Sequence, residues 1–276
     1  MPKTWSTPAR ETRSAPVPCV LCGGRSFKPA LQCEGAAYVR CAACGLTQIN
    51  PQPEAALVLE RYSFLFGKEY LSYELENEAA FLKLQKLALE DAGFAELEKV
   101  LLSRAGATAS PPSVLDAGCA TGALLAYLRG RGWRCTGVEI SPCAEYARKE
   151  RGLDVRSLPL EENKFPAGSF DVILASHLIE HLNNPRSFLN EVFRALASEG
   201  RVFITTPNIA GFQARITGAN WRSAIFDHLF LFSKQTLKAL LIDTGFKIEG
   251  IHTWGGLAAG LAPQWLKRPA DFLAKR

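Results

Sequence analysis

The 276-residue sequence has no run approaching the roughly 18 apolar residues that a membrane-spanning helix requires. That excludes a helical membrane anchor and points to a soluble, cytoplasmic chain. Nor do the first 18 residues, rich in Pro, Ser, Thr and Arg, contain the apolar core of a secretory signal, so residues 1–18 read as a disordered leader. Acidic residues are scarce at both ends: residues 1–50 hold two against six Lys/Arg, and the last ten hold Asp271 against Lys267, Arg268, Lys275 and Arg276. Such asymmetry can mark nucleic-acid contact. No Lys/Arg run with interleaved aromatic residues accompanies it, however, and a few basic residues on tails are more often solvated, so nucleic acid is not the expected partner.

What is present is an ordinary globular composition, 47% hydrophobic and 21% charged, on a length suited to one main domain with a small accessory. Eight cysteines stand out. In a cytoplasmic chain they argue for metal binding or free thiols more than for disulfides. Four fall in two pairs, Cys19-Val20-Leu21-Cys22-Gly23 and Cys41-Ala42-Ala43-Cys44-Gly45, separated by 18 residues. Each pair lets two thiolates from one turn face one ion, and the glycine after it lets backbone amides fold towards the sulfurs. The spacing predicts a structural zinc held by Cys19, Cys22, Cys41 and Cys44 in a zinc-ribbon-like module over residues 19–50, too small to bury a core without its metal. Cys33, Cys119, Cys135 and Cys143 lack such pairing and read as ordinary thiols.

Residues 51–110 repeat apolar side chains at helical spacing, as in Phe81, Leu84 and Ala88, and predict a helical connector or lid. Tyr62, Tyr70 and Tyr73 on it either line a pocket or pack a core. Residues 105–113, with Pro111-Pro112, break the pattern and mark a boundary. Over 111–256 short apolar runs alternate with helical stretches. Strands are expected at 113–117, 135–140, near Val155, 170–176, 201–205 and 247–252; helices at 123–131, 142–151 (capped by Ser141), 185–196 and 234–244. The alternation predicts an α/β fold, a Rossmann-like, mostly parallel sheet with helices on both faces and its ligand at the carboxyl edge. Residues 209–233 exceed what a strand-to-helix connection needs and read as a substrate loop, while 257–276 read as a basic tail or amphipathic helix.

Within this domain, Val114-Leu115-Asp116-Ala117-Gly118-Cys119-Ala120-Thr121-Gly122 runs a buried strand into a turn with glycines four apart and then into a helix. Gly118 lets a ligand approach the backbone, and Gly122 lets the helix start close to the strand. Glu139, 23 residues after Asp116 at the end of the next strand, can accept hydrogen bonds from both hydroxyls of a ribose. A glycine turn alone would also suit a nicotinamide or flavin. The order here is Asp-x-Gly-x-x-x-Gly instead of Gly-x-Gly-x-x-Gly, and Asp116 puts a carboxylate where a pyrophosphate would sit. That penalises an anion and suits the cationic methionine moiety of S-adenosylmethionine.

These residues, with Gly137-Val138-Glu139-Ile140-Ser141, Phe170-Asp171-Val172-Ile173, Ile179-Glu180-His181-Leu182, Gly200-Arg201-Val202-Phe203-Ile204-Thr205-Thr206-Pro207-Asn208 and His228-Leu229-Phe230-Leu231-Phe232-Ser233, resemble the class I S-adenosylmethionine-dependent methyltransferases. The resemblance is to the branch holding quinone O-methyltransferases and zinc-bearing sugar C-methyltransferases. The cysteine pairs followed by Gly45-Leu46-Thr47-Gln48-Ile49-Asn50-Pro51 are similar to the amino-terminal module of the zinc-bearing members. It implies a cofactor site at Asp116, Gly118, Cys119, Gly122, Glu139, Ile140, Ser157, Leu158, Ser176 and His177. Ala120 stands where the family usually has glycine, and the acidic residue that often meets the adenine is missing near 155–160. The implied reaction is O- or C-methylation of a small biosynthetic intermediate, such as a nucleotide-linked sugar or a quinone-like compound.

Displacement at a sulfonium methyl gains most of its rate from holding nucleophile and carbon in line, and needs a base only when the nucleophile carries a proton of high pKa. His177 and His181, four apart, would share a face on a helical turn. His-x-x-Glu-His is also a zinc-protease pattern, and Glu180 and His181 could simply brace the loop. The resemblance implies His181 as the base, Glu180 orienting it or holding a divalent ion as in catechol-type members, and His228 as a second candidate base. Arg215, Trp221 and Arg222 in the substrate loop suit a planar or anionic acceptor; the alternative is that Trp221 and Phe226 simply pack the loop down. Two other classes compete. An RNA methyltransferase would grip phosphates with the cysteine module and basic ends, but no Asn-Pro-Pro-Tyr-type signature follows 170–176. A non-catalytic cofactor-binding scaffold is opposed by the intact Asp116, Gly118, Gly122 and Glu139.

Overall fold

A computed structural model describes residues 14–33, 36–62, 67–108 and 110–253. The cysteine-bearing part contains β1 (Ser14–Ala15), β2 (Phe27–Cys33), β3 (Ala36–Cys41), β4 (Thr47–Ile49) and β5 (Gln52–Pro53). β1 pairs antiparallel with β5, and Asn50 brackets Val17, accepting from its N–H at 3.0 Å and donating to its carbonyl at 3.1 Å. Residues 14–18, expected in a disordered leader, are therefore fixed, because partners from 50–53 supply hydrogen bonds that composition does not reveal. The leader expected over 1–13 and the tail or helix expected over 257–276 lie outside the described residues.

The connector forms three helices, α1 (Ala55–Glu60), α2 (Gly67–Asp91) and α3 (Phe94–Thr108), the last two separated at Gly93, whose φ of 76° is easy only for glycine. Then follow β6 (Ser113–Ala117), α4 (Ala123–Arg129), β7 (Arg134–Val138), α5 (Cys143–Arg151), β8 (Asp154–Arg156), β9 (Phe170–Ser176), α6 (Pro185–Ala195), β10 (Leu196–Thr205), α7 (Phe212–Thr217), β11 (Phe230–Leu231) and α8 (Lys234–Asp243). Local chemistry sets several of these bounds. Asn184 caps α6 by accepting from Ser187 N–H at 3.0 Å with Pro185 in the first turn, and Ser233 and Thr236 form a reciprocal capping box on α8.

Five strands form one parallel sheet in the order β10-β9-β6-β7-β8. Strand periodicity splits its apolar side chains between two cores. Val114, Val172 and Leu174 join Leu125 and Leu128 on one face, while Leu115, Ile173 and Ala175 join Phe188, Leu189 and Val192 on the other. The expected strand at 247–252 does not form. β10 is the outermost strand and leaves an edge open, but 247–252 makes no ladder with it, and Glu249 meets Arg201 of β10 through side chains at 2.5 Å instead.

The second sheet has the order β11-β4-β3-β2 and is antiparallel. Its outer strand comes from the far end of the chain: Phe230 pairs with Gln48, Leu231 with Thr47, and Ile49 N–H donates to Leu229 O at 2.9 Å. Tyr38 on β3, 1% exposed, places its hydroxyl 2.6 Å from Ile225 O and 2.7 Å from His228 O. Its ring shares a core with Leu46, Ile49, Phe230 and Phe232. The cysteine module and the segment expected to be a substrate loop are thus one packed unit. No described helix is long and apolar enough to cross a membrane.

Candidate functional site

β6, β7 and β9 end at the same edge of the parallel sheet, which brings together the glycine turn, Glu139 and residues 176–181. The turn is left-handed at Gly118 (φ 75°), Ala120 (φ 45°) and Gly122 (φ 76°). A Cβ on Gly118 would meet Leu178 Cδ1 at 3.3 Å, and one on Gly122 would lie 2.5 Å from Leu153 Cδ1 and 3.3 Å from Ala147 Cβ. Gly122 therefore lets α4 start close to α5 and the chain after it, more than to its own strand. The left-handed Ala120, which costs roughly 1–2 kcal/mol for a residue with a Cβ, is held by Glu139. That carboxylate accepts from Ala120 N–H at 2.9 Å and from Ser141 N–H at 2.8 Å, one bond per oxygen, and each oxygen keeps a lone pair.

Asp116 lies beneath the turn, 1% exposed, with neither carboxylate oxygen hydrogen-bonded. Burial, and then the charge of Glu139, push its pKa up to about 8. A buried carboxylate without a donor is costly. The orphaned oxygens fit a ligand carrying positive charge and N–H donors, as the methionine moiety of S-adenosylmethionine does.

Gly118, Ala120, Glu139, Ile140, Ser176, His177, His181 and His228 line one cleft. Four expected cofactor contacts do not reach it with their side chains, the first being Asp116, buried beneath the turn. Cys119 turns its thiol into the core, so close to β7 that a Cβ on Gly137 would lie 2.7 Å from its Sγ. Ser157 is taken by Arg148, whose Nη1 donates to it at 2.8 Å, and Leu158 is 51% exposed; Pro159 and Leu160 line the cleft in their place.

After Ser176, His177 takes a left-handed backbone (φ 52°) and the chain makes a single 3-10 turn over Ile179–His181. His177 and His181 therefore do not share a helical face, which also removes the geometry of the protease pattern. His177 is exposed, its Nδ1 3.3 Å from Glu180 Oε1 without hydrogen-bond geometry. Glu180 is fully buried and accepts from Thr206 Oγ1 at 2.9 Å. Burial opposes its charge, but His177, His181 and His228 hold its pKa down to about 2.

His181 Nδ1 lies 2.9 Å from Asp227 O and 2.7 Å from the Tyr62 hydroxyl. A carbonyl only accepts, so Nδ1 carries the hydrogen and the neutral ring presents its lone pair at Nε2. Asp227 is itself fixed: Arg61, 2% exposed, meets its carboxylate at 2.5 Å and lies 3.8 Å over the Phe226 ring. His228 packs edge-on against His181, centroids 4.6 Å apart, with Nδ1 2.8 Å from Ser223 O. Burial, and then the neighbouring His181, lower its pKa to about 3. The ring keeps its Nδ1–H on Ser223 O, and the lowered basicity makes it a poor acceptor of a further proton, which weakens the expectation of a second base. The ligand atoms of Glu180, His181 and His228 all lie within 4.8 Å of one another, so this group could also hold a metal ion.

The four paired cysteines converge as their spacing suggests, with Sγ atoms 3.4 Å apart for Cys19 and Cys44 and 3.5 Å for Cys22 and Cys41. A Cβ on Gly24 would lie 3.3 Å from Cys22 Sγ, so this second glycine leaves room for the sulfurs. Burial disfavours the Cys41 thiolate, but the Cys44 and Ala43 amides outweigh it and bring the pKa to about 7. A four-sulfur tetrahedral donor set could hold a metal and suits a thiophilic ion such as zinc.

Sequence reasoning missed Tyr38, Arg61, Thr206 and Glu78. Glu78 accepts from Thr121 Oγ1 at 2.6 Å and from Arg151 Nη2 at 2.5 Å, so α2 lies over the glycine turn. The available signal was Tyr70, Glu74 and Glu78 at spacings of four on one helix. Of the loop residues singled out, Trp221 is buried, Arg222 lines the cleft, and Arg215 is exposed outside it.

A parallel sheet with a cleft at its carboxyl edge, a glycine turn after its central strand and an acidic residue after the next define a Rossmann-like cofactor-binding domain. A family model described as a methyltransferase domain matches residues 89–250, more than half of the sequence. The chain belongs to that family, the class I S-adenosylmethionine-dependent methyltransferases. It is 30% identical over 152 residues to a probable S-adenosylmethionine-dependent methyltransferase of Mycolicibacterium smegmatis, covering 52% of this chain and 57% of that protein. It is 27% identical over 158 residues to a ubiquinone biosynthesis O-methyltransferase of Psychrobacter arcticus, covering 50% and 62% respectively. The chain thus spans less than two thirds of the length of these relatives. The solved structure of the plantazolicin methyltransferase BpumL in complex with SAH shares the fold, with a TM-score of 0.52 at 18% identity over 68% of this chain and 73% of that one.

Proposed function

We propose that the chain transfers the methyl group of S-adenosylmethionine to an oxygen or carbon of a pocket-sized acceptor, a biosynthetic intermediate of the quinone-like or nucleotide-linked-sugar kind. The observation that carries this reading is the clamp on His181, whose Nδ1 is held by Asp227 O at 2.9 Å and Tyr62 Oη at 2.7 Å, leaving Nε2 as the basic atom of a ring lining the cleft. When bound, the cofactor supplies an electrophilic methyl group on a sulfonium. Asp116 acts on the positive charge from beneath the turn, and Glu139 offers its remaining lone pairs to ribose hydroxyls. His181 Nε2 takes the proton from the acceptor. The charge that develops on the ring is stabilised by Asp227 O at Nδ1–H and by the ionised Glu180 beside it. Tyr62, edge-on to His181 at 5.9 Å, and Tyr70, edge-on to Tyr62 at 6.3 Å, shield that proton transfer from water. In the same reading zinc on Cys19, Cys22, Cys41 and Cys44 is structural, and the acceptor is a small molecule, not a nucleic acid.

The test is turnover with labelled cofactor in a screen of hydroxylated aromatics and nucleotide-linked sugars. His181→Ala should lower methyl transfer by about 100-fold or more, the usual contribution of a positioned base, while calorimetric affinity for S-adenosylmethionine persists. Equal turnover would return His181 to a bracing role. A second reading rests on the convergence of Glu180, His181 and His228 within 4.8 Å. There a divalent ion would bind the acceptor oxygens and His181 would be its ligand. Turnover lost on chelation and restored by added Mg²⁺ or Mn²⁺, with the zinc retained, would favour it.

A further inference from the structure

Tyr70, Glu74 and Glu78 project from one face of α2, one turn apart. Glu78 is the anchor, bonded to Thr121 in the glycine turn and to Arg151 on α5. One turn back, Glu74 has different neighbours. It carries its carboxylate beside those of Glu139 and Glu78, whose charges act on it. Glu74 and Glu139 line the same cleft as Gly118 and Ala120, and Glu139 has already committed one lone pair of each oxygen to the turn. Two carboxylates lining one cleft repel until donors are placed between them. A vicinal diol supplies two such donors.

We propose that Glu74 is a second cofactor-binding carboxylate, which with Glu139 brackets the ribose diol so that α2 forms the outer wall of the cofactor pocket. The proposal rests on the S-adenosylmethionine reading above. It gives the connector helix a part in recognition that the glycine turn alone does not supply, because a nucleoside lacking a hydroxyl would forgo a hydrogen bond to one of the two carboxylates. Burial, and then Glu139 and Glu78, raise the pKa of Glu74 to about 7 in the free protein. A hydroxyl donated to the carboxylate favours its charged form, so the proton held by Glu74 passes to solvent as the cofactor binds, and affinity rises with pH through 7. Other titratable groups face this region: Tyr70 and Glu78 on α2, Glu139 after β7, Cys143 on α5 and Asp116 beneath the turn. They are common to wild type and variant and cancel in the comparison.

The experiment is calorimetry of S-adenosylmethionine binding to the full chain at pH 6, 7 and 8 in buffers of different ionisation enthalpy, for wild type, Glu74→Gln and the exposed α2 control Glu76→Gln. From pH 6 to 8 the wild-type Kd should fall about tenfold more than that of Glu74→Gln, and at pH 7 wild type should release about half a proton more. At pH 8 Glu74→Gln should bind about tenfold more weakly, the loss typical of one charge-assisted hydrogen bond. Glu76→Gln should match wild type. Wild-type binding with unchanged Kd, pH slope and proton release in Glu74→Gln would overturn this proposal alone. No binding to wild type at any pH would overturn both it and the functional reading.

Discussion

Replacing Asp116 by Asn should change how stability depends on pH before any catalysis is measured. In the cofactor-free protein the carboxyl, buried without a hydrogen-bond partner, has a pKa of about 8 against an ordinary value of 3.8. The folded state therefore binds the proton more tightly than the unfolded state does. Stability from this group is fully present below about pH 4 and drains away as pH rises towards 8, by about 1.4 kcal/mol per pH unit until the folded group itself ionises. Between pH 6 and 8 the loss comes to about 2 kcal/mol. Asn at this site carries no charge, so it lacks that slope, although a buried amide without partners costs about 1–3 kcal/mol at every pH. Urea unfolding at pH 6, 7 and 8 should show the variant at least as stable as wild type at pH 6, with its advantage widening by about 2 kcal/mol at pH 8. Added S-adenosylmethionine should stabilise wild type more at pH 8 than at pH 6, because its positive charge selects the ionised carboxylate, and should stabilise Asp116→Asn little at either pH. Wild-type and variant curves that run parallel from pH 6 to 8 would refute the idea that Asp116 is held protonated for want of a cation.

Three other outcomes are expected. Tyr38→Phe leaves Ile225 O and His228 O without their shared donor and should cost about 1–3 kcal/mol in urea unfolding, with kcat falling more than affinity for S-adenosylmethionine, since the disturbed segment carries Asp227 and not the glycine turn. Metal analysis should find one zinc per chain, lost in Cys41→Ser together with cooperative unfolding of the small sheet; a native chain that is folded and metal-free would defeat the zinc assignment. Gly122→Ala places a Cβ 2.5 Å from Leu153 Cδ1 at a φ of 76°, and should lower stability by about 2–4 kcal/mol from left-handed strain plus overpacking, measurable as a drop in Tm.

The parts of this molecule visible in its sequence are those whose partners are close in the chain. Ser113–Ala117 and Phe170–Ser176 have the bounds expected from their apolar runs, because central strands of a parallel sheet are buried on both faces and read as unbroken hydrophobic stretches. The cysteine cluster was legible for a similar reason, since each half lies within one turn. What stayed hidden depends on partners far along the chain. Tyr38 meets a carbonyl 187 positions away, and no local pattern marks a tyrosine for that bond. Arg61 and Asp227, 166 apart, read as ordinary surface charges until the fold buries the arginine. Ser157 failed as a cofactor contact through competition: Arg148, nine residues earlier, captures its hydroxyl. The 247–252 run holds only Ile248 and Ile251 as large apolar residues, three apart, so it lacks the alternation that would seat a strand on the open edge of β10.

The borrowed strand β11 sets a limit on how this protein can be divided. Sequence composition suggests that the cysteine module could be cut away near residue 50 or exchanged for another without touching the rest. The backbone ladder from Thr47–Ile49 to residues 229–231 makes that cut a break through a sheet. A truncated chain would bare an unpaired edge beside Asp227 and His228 and loosen the carbonyl that orients His181. Module and enzyme domain would then have to fold together, and grafting experiments should carry residues 19–50 and 225–231 as a single piece.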